Sequence, residues 1–260
     1  MLLYPEIDPA ILSIGPFQLR WYSLMYVIGL FSIYITFKRA VARSRLSLTP
    51  DQIESVMIIG LLGMIVGARL AYVLIYNFSH FMQHPTEIPE VWRGGLSFHG
   101  AFAGIAVAIL IYCRANRISY FSVTDHICTA APIGLGLGRI GNFINGELWG
   151  RVTDVPWAMI FPDGGPLPRH PSQLYEAFLE GLLLFVVMAV LYTAKPKPGI
   201  LTGTFVMTYA VFRFFVEFFR EPDLQLGSVM GPFTMGQLLC VLMGALGCFI
   251  TLSAVSRNDG

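Results

Sequence analysis

GLGRIGNFINGELWG, residues 136–150, opens with a formal G-x-G-x-x-G at Gly136, Gly138 and Gly141. In a soluble α/β protein that spacing marks a loop between a strand and a helix, where backbone amides hold a dinucleotide pyrophosphate. Here the glycines end an apolar run over 121–138, close to the roughly 20 residues a helix needs to cross a bilayer. A lone strand of a βαβ unit cannot lie in lipid, because its backbone groups would find no partners. The dinucleotide reading fails on context, and the chain reads as an all-α integral membrane protein.

Composition agrees. Of 260 residues, 55% are hydrophobic and 13% charged, with a mean hydropathy of +0.64. A soluble domain carries about 25% charged residues. The net charge of +1 gives no case for nucleic acid. Cys113, Cys128, Cys240 and Cys248 lie in or beside apolar runs without a C-x-x-C pair, so they read as small buried apolar residues. The first residues lack the basic start and cleavage site of a signal peptide.

Seven transmembrane helices are expected, at about 21–37, 55–76, 95–113, 121–138, 173–193, 200–219 and 233–254. Lys38, Arg39, Arg43 and Arg45 follow the first, Arg114 and Arg117 the third, Lys195 and Lys197 the fifth, and Arg257 the seventh. By the positive-inside rule the N-terminus is outside and the C-terminus inside. The whole chain, 1–260, reads as one polytopic membrane domain. The proline-rich connection at about 139–172 is expected to be a small irregular periplasmic head. Gly60, Gly63 and Gly67 lie close to one face of the second span, where small residues let backbones approach.

The chemistry sits in polar residues at membrane depth, which are costly and usually functional. Arg139 keeps its charge at any biological pH and is expected where the fourth span meets the outer interface. With Asn142, Asn145 and Glu147 it suits a phosphate; alone it would serve as a headgroup anchor. Tyr209, Arg213 and Glu217 recur at i, i+4 and i+8 in the sixth span, with Arg220 three further on. That stripe is either a self-neutralising Arg213–Glu217 pair or a second cation lining a cavity. Arg69, Tyr72 and Tyr76 form a similar stripe, and Asp125 and His126 begin the fourth span. His99, flanked by glycines, is either a structural hydrogen-bonder or a group able to move a proton near neutral pH. His80 and His84 have i, i+4 ligand spacing but no nearby third ligand, so no metal is expected. These residues alone fit an enzyme acting on a phospholipid headgroup, or a lipid or anion transporter.

The run Gly138–Gly150 resembles the signature of the prolipoprotein diacylglyceryl transferases, G-R-x-G-N-F-x-N-x-E-x-x-G, without departure. The resemblance extends over most of the chain: Ile7-Asp8-Pro9, SIGP at 13–16, RWYSLMY at 20–26, GGLSFHG at 94–100, RHPSQLYE at 169–176 and RFFVEFFREPD at 213–223. The segment between Gly150 and Arg169 is short compared with some members. The resemblance implies an inner-membrane enzyme of about seven helices that needs no metal or organic cofactor. Its partners would be phosphatidylglycerol, drawn from bilayer lipid, and the signal peptide and lipobox cysteine of a prolipoprotein. It would move the diacylglyceryl group onto the cysteine thiol as a thioether, with glycerol 1-phosphate leaving. It also implies roles: Arg139 and Arg213 at the phosphate, and His99 as general base. Tyr22, Asn142, Asn145, Glu147 and Tyr209 would contact the lipid head or hold loop geometry, with Glu147 orienting Arg139 or the glycerol hydroxyls. Gly138, Gly141, Gly150, Glu217 and Arg220 would support them.

Overall fold

A computed structural model describes residues 2–5, 7–15, 17–221, 228–230 and 233–256. Pro16, Pro222, Asp223 and Arg257, all invoked above, lie outside the described residues. The long helices are α1 (Trp21–Ala42), α2 (Pro50–Tyr76), α3 (Phe98–Ala115), α4 (Tyr120–Ile144), α5 (Ser172–Thr193) and α6 (Met235–Val255). A shorter apolar helix, Ile200–Val216, stands where the sixth span was expected. Large apolar side chains face outward along these helices, among them Ile75, Ile111, Val190, Leu242 and Phe249. In water such a surface would be a liability; in lipid it is the expected exterior.

Two compact units emerge, Arg39–Val123 and a second made of Met1–Lys38 with Thr124–Gly260. In the first, α2 begins with a capping box between Thr49 and Gln52 and with Pro50 in its first turn. It packs on α3 through glycine. A Cβ added to Gly63 would lie 2.7 Å from the Gly104 carbonyl oxygen, and one on Gly67 would lie 2.6 Å from Gly104 Cα. The expected close approach along this face is therefore present, whereas Gly60 makes only an ordinary contact with Ile109. Arg69 is structural: its guanidinium donates to the carbonyls of Glu87, Ile88, Gly94 and Gly95 and lies over the Phe81 ring. It thereby fixes the connection that leads into α3. His80 pairs with Glu87 at 2.9 Å and stacks on His84, so the histidine pair belongs to this connection.

In the second unit, Ile200–Val216 packs against α6 through Gly203 and Gly247, where added Cβ atoms would strike the facing backbone. Asp125 sits at the start of α4 and is 5% exposed. It accepts from the Gly199 amide at 2.8 Å and from the Thr202 amide and hydroxyl at 2.8 and 2.6 Å. A carboxylate from a distant helix thus satisfies the orphan donors at the N-terminus of Ile200–Val216. Replacing Asp125 by alanine strands two buried amide donors and should cost about 2–4 kcal/mol. Thermal unfolding in detergent checks this; an unchanged midpoint would rule out the capping role.

The glycine-rich stretch does not end α4. The helix runs on to Ile144, so Arg139 lies inside it rather than at its end, as the apolar run had implied. Packing explains the continuation. An added Cβ on Gly136 would lie 2.8 Å from Gly181 Cα in α5, and one on Gly141 would lie 2.7 Å from the Tyr22 ring. Glycine's poor helix propensity is offset because only glycine lets these elements meet.

Beyond Ile144 a small cap follows. Tyr4 donates to the carbonyls of Phe143 and Ile144, closing the helix C-terminus. Leu2–Leu3 pairs in parallel with Met159–Ile160, and fully buried Phe161 packs among Phe143, Met159, Tyr4 and Trp149. Nearer the start of α1, Ala10–Ile14 and Phe17–Arg20 form an antiparallel hairpin. Cys113, Cys128 and Cys240 are buried as expected, but Cys248 is exposed, on the outward apolar face of α6 with Phe249 and Leu252.

Candidate active site

The second unit gathers three arginines around three carboxylates, all carried by helices or their ends. Arg139 reaches α5, its Nε 3.2 Å from Glu176 and its Nη2 3.8 Å from Glu180. Arg213 Nη1 lies 2.7 Å from Glu217 and 3.5 Å from Glu176. Arg220 Nη1 lies 3.1 Å from Glu176, and its Nε is 3.6 Å from Glu217. The Thr234 hydroxyl, which caps α6, also donates to Glu217 at 2.9 Å.

Local structure sets these positions. The Gly136–Gly181 contact holds α4 close to α5, and Arg139 lies three residues beyond Gly136. Glu176 and Glu180 are four residues apart on α5, across a widened π-helical segment at Ala177–Leu183. Such bulges concentrate at functional sites. After Val216 the chain tightens, with Phe218 and Phe219 amides bonded three residues back. The run had suggested a helix through Phe219; instead Arg220 forms a bridge with Gly150 and still turns its side chain to Glu176. Gly150 is required there, since an added Cβ would lie 2.7 Å from His170 Cβ and would strike the Phe219 carbonyl.

Of the two readings of Arg213, the pair with Glu217 exists, but Arg213 also shares Glu176 with Arg139 and Arg220. Buried networks of this kind contribute little net stability, and their cost is repaid only by close pairing. The exposure is asymmetric. Arg139 and Arg213 side chains keep 14% of their surface, whereas those of Glu176 and Glu180 keep none. The arginine side chains are thus less completely enclosed than Glu176 and Glu180. An added Cβ on Gly138 would meet nothing within 4 Å, so that face of α4 is open. Tyr209, 3% exposed, lies within the field of Glu180, Arg213 and Arg139.

A second polar group follows Arg139. Asn142 and Asn145 both donate to Glu147 Oε1, at 2.9 and 3.0 Å. Glu147 thus orders the two amides, while the ion pairs of Arg139 go to Glu176 and Glu180. Its loop is pinned from α5 by Gln173, which donates to the Glu147 carbonyl, and Ser172, which donates to that of Leu148. Tyr22 pairs its hydroxyl with Tyr26 at 3.0 Å, and its ring rests on Gly141. His99 belongs to the other unit, in the first turn of α3 after the Ser97 cap.

The acids of α5 were not singled out from the sequence. Glu176 ended a matched block, and Glu180 stood alone in an apolar run. An acid at membrane depth requires a cation, and that requirement was the available signal.

Outside the cluster, burial pushes the His170 imidazole below its ordinary range, beside Tyr175 and Phe219.

Comparison with known proteins places this arrangement. A family model described as prolipoprotein diacylglyceryl transferase matches residues 9–253. The phosphatidylglycerol–prolipoprotein diacylglyceryl transferase of Geobacter sulfurreducens is 48% identical over 257 residues, 99% of each chain. That of Methylococcus capsulatus is 48% identical over 261 residues, the full length of both. That of Pseudomonas aeruginosa is 48% identical across 99% of this chain and 97% of its own. The match spans the signature helix, the acids of α5 and the arginines that meet them, and the chain belongs to the prolipoprotein diacylglyceryl transferase family.

Proposed function

We propose that the protein transfers the diacylglyceryl group of phosphatidylglycerol to the lipobox cysteine of prolipoproteins, the first step of lipoprotein maturation. The observation that carries the reading is the buried triple-arginine cluster built on the signature helix. The cysteine sulfur attacks the glycerol carbon that bears the phosphate. The C–S bond forms, the C–O bond breaks, and glycerol 1-phosphate leaves with the electron pair. Arg139 and Arg213 meet the phosphate, whose charge grows as the bond breaks, so fixed cations there lower the barrier. A free thiol has a pKa of about 8.5 and gains from a base. His99 takes that proton, since arginine does not deprotonate. Asn142 and Asn145, ordered by Glu147, hold the headgroup side of the pocket with Tyr22 and Tyr209.

The N-terminus and the cap lie on the periplasmic side of the inner membrane, the C-terminus on the cytoplasmic side. The cap between α4 and α5, residues 145–171, is then the periplasmic head of a single polytopic domain. Both substrates carry apolar tails and enter sideways from the bilayer.

Mass spectrometry of a lipobox peptide incubated with purified protein and phosphatidylglycerol tests the reading. A diacylglyceryl mass on the cysteine with glycerol phosphate released is expected. An unmodified peptide, beside folded protein and an active reference enzyme, would overturn it. His99→Asn should lose turnover by at least about 100-fold with lipid binding retained. Activity with an unchanged pH profile would remove His99 from the role of base. Because the nucleophile belongs to the substrate, replacing Cys113, Cys128, Cys240 and Cys248 together by alanine should preserve transfer. Complete inactivation of that variant, still folded, would point to a covalent enzyme intermediate instead.

A further inference from the structure

Glu180 is held differently from its neighbours. It is fully buried, and neither carboxylate oxygen has a hydrogen-bond partner among the described residues. Its closest cation is Arg139 Nη2, at 3.8 Å. Glu176, by contrast, is shared by Arg139, Arg213 and Arg220, and Glu217 is held by Arg213, Arg220 and Thr234. Three guanidinium charges face three carboxylates, so the cluster is balanced with every group ionised. The groups around Glu180 come from every packed element: Arg139 on α4, Glu176 on its own helix, Tyr209 and Arg213 on Ile200–Val216, Arg220 beyond it, and Cys240 on α6.

A phosphate bound at Arg139 adds a negative charge and draws on the guanidinium that faces Glu180. An ionised carboxylate left without that partner in a dry interior is strongly disfavoured, and it neutralises by gaining a proton. Glu176 and Glu217 keep other cations and hydrogen bonds, so the proton goes to the group held least.

We propose that Glu180 takes up a proton from solvent when an anionic phosphate engages Arg139, linking headgroup binding to protonation of this one carboxylate. The inference rests on the reading that Arg139 meets the lipid phosphate. Only an O–H bond forms, and the bound cluster regains charge balance. Glu180 acts through Arg139 and is a positioning residue.

The test titrates short-chain phosphatidylglycerol into the detergent-solubilised full chain, in two buffers of different ionisation enthalpy. Wild type should take up about one proton per lipid, and its KM for the lipid should rise on the order of tenfold per pH unit where the free carboxylate is ionised. In Glu180→Gln the uptake should vanish and the KM profile should flatten; in Glu180→Asp both should persist. No uptake in wild type, or uptake that persists in Glu180→Gln, overturns the proposal. Should Glu180→Gln fail to fold, infrared difference spectra of wild type on adding the lipid keep the proposal falsifiable: a protonated-carboxyl band should appear, and its absence overturns the proposal. Peptide transfer measured alongside separates the two readings. Transfer without proton uptake overturns the linkage alone. Uptake without transfer supports the linkage and overturns the transferase reading.

Discussion

Arg139→Lys should lower transfer by about 100- to 1,000-fold while the protein remains folded. Lysine keeps the charge, but it has one nitrogen where the guanidinium presents a rigid fork. In the structure that fork spans two acids, with Nε toward Glu176 and Nη2 toward Glu180. A single ammonium cannot meet both carboxylates and a phosphate together. The loss should fall mainly on kcat, because the developing phosphate charge gains most from a fixed donor. Steady-state kinetics on purified protein, with a thermal melt to confirm folding, checks this. Near-normal turnover would show that charge alone suffices and that the fork geometry is incidental.

Glu176→Gln should have the larger effect on the fold itself. Glu176 is fully buried and answers three arginines. The amide fills the same volume but removes the charge, leaving the cluster with an excess positive charge inside the membrane domain. Breaking a buried pair from one side costs about 3–5 kcal/mol. A large fall in the unfolding midpoint in detergent is expected, with loss of recoverable folded protein. Glu176→Asp, which keeps the charge one methylene short, should recover part of that stability. A Glu176→Gln protein as stable as wild type would show that the arginines are held by Glu180 and Glu217 without it.

Much of the fold was legible in the sequence because a bilayer simplifies the problem. Every backbone group must be paired within the segment, so apolar length alone locates helices. All seven expected segments are helical in the structure, and the glycine face of α2 packs as read. The ends were less legible. Glycines at 136, 138 and 141 looked like a stop, yet α4 continues, because their effect depends on what stands opposite them. Gly136 faces Gly181, Gly141 faces Tyr22 and Gly138 faces space, a distinction no local pattern encodes. Likewise Asp125 read only as the start of the fourth span, but its use is to cap a helix that begins 75 residues later.

By itself the sequence determined the membrane class, the number of apolar segments, and the arginines and amides singled out as candidates, because hydropathy and charge cost are properties of single residues and short runs. Only the tertiary structure decided which charges answer which. Arg139 stands on α4, Glu176 and Glu180 on α5, and Arg213 and Arg220 on Ile200–Val216 and just beyond it, and ion pairing falls off over a few ångströms. Their partnership exists only because Gly136 and Gly181 let two backbones touch, and because the chain after Val216 turns Arg220 back toward Glu176.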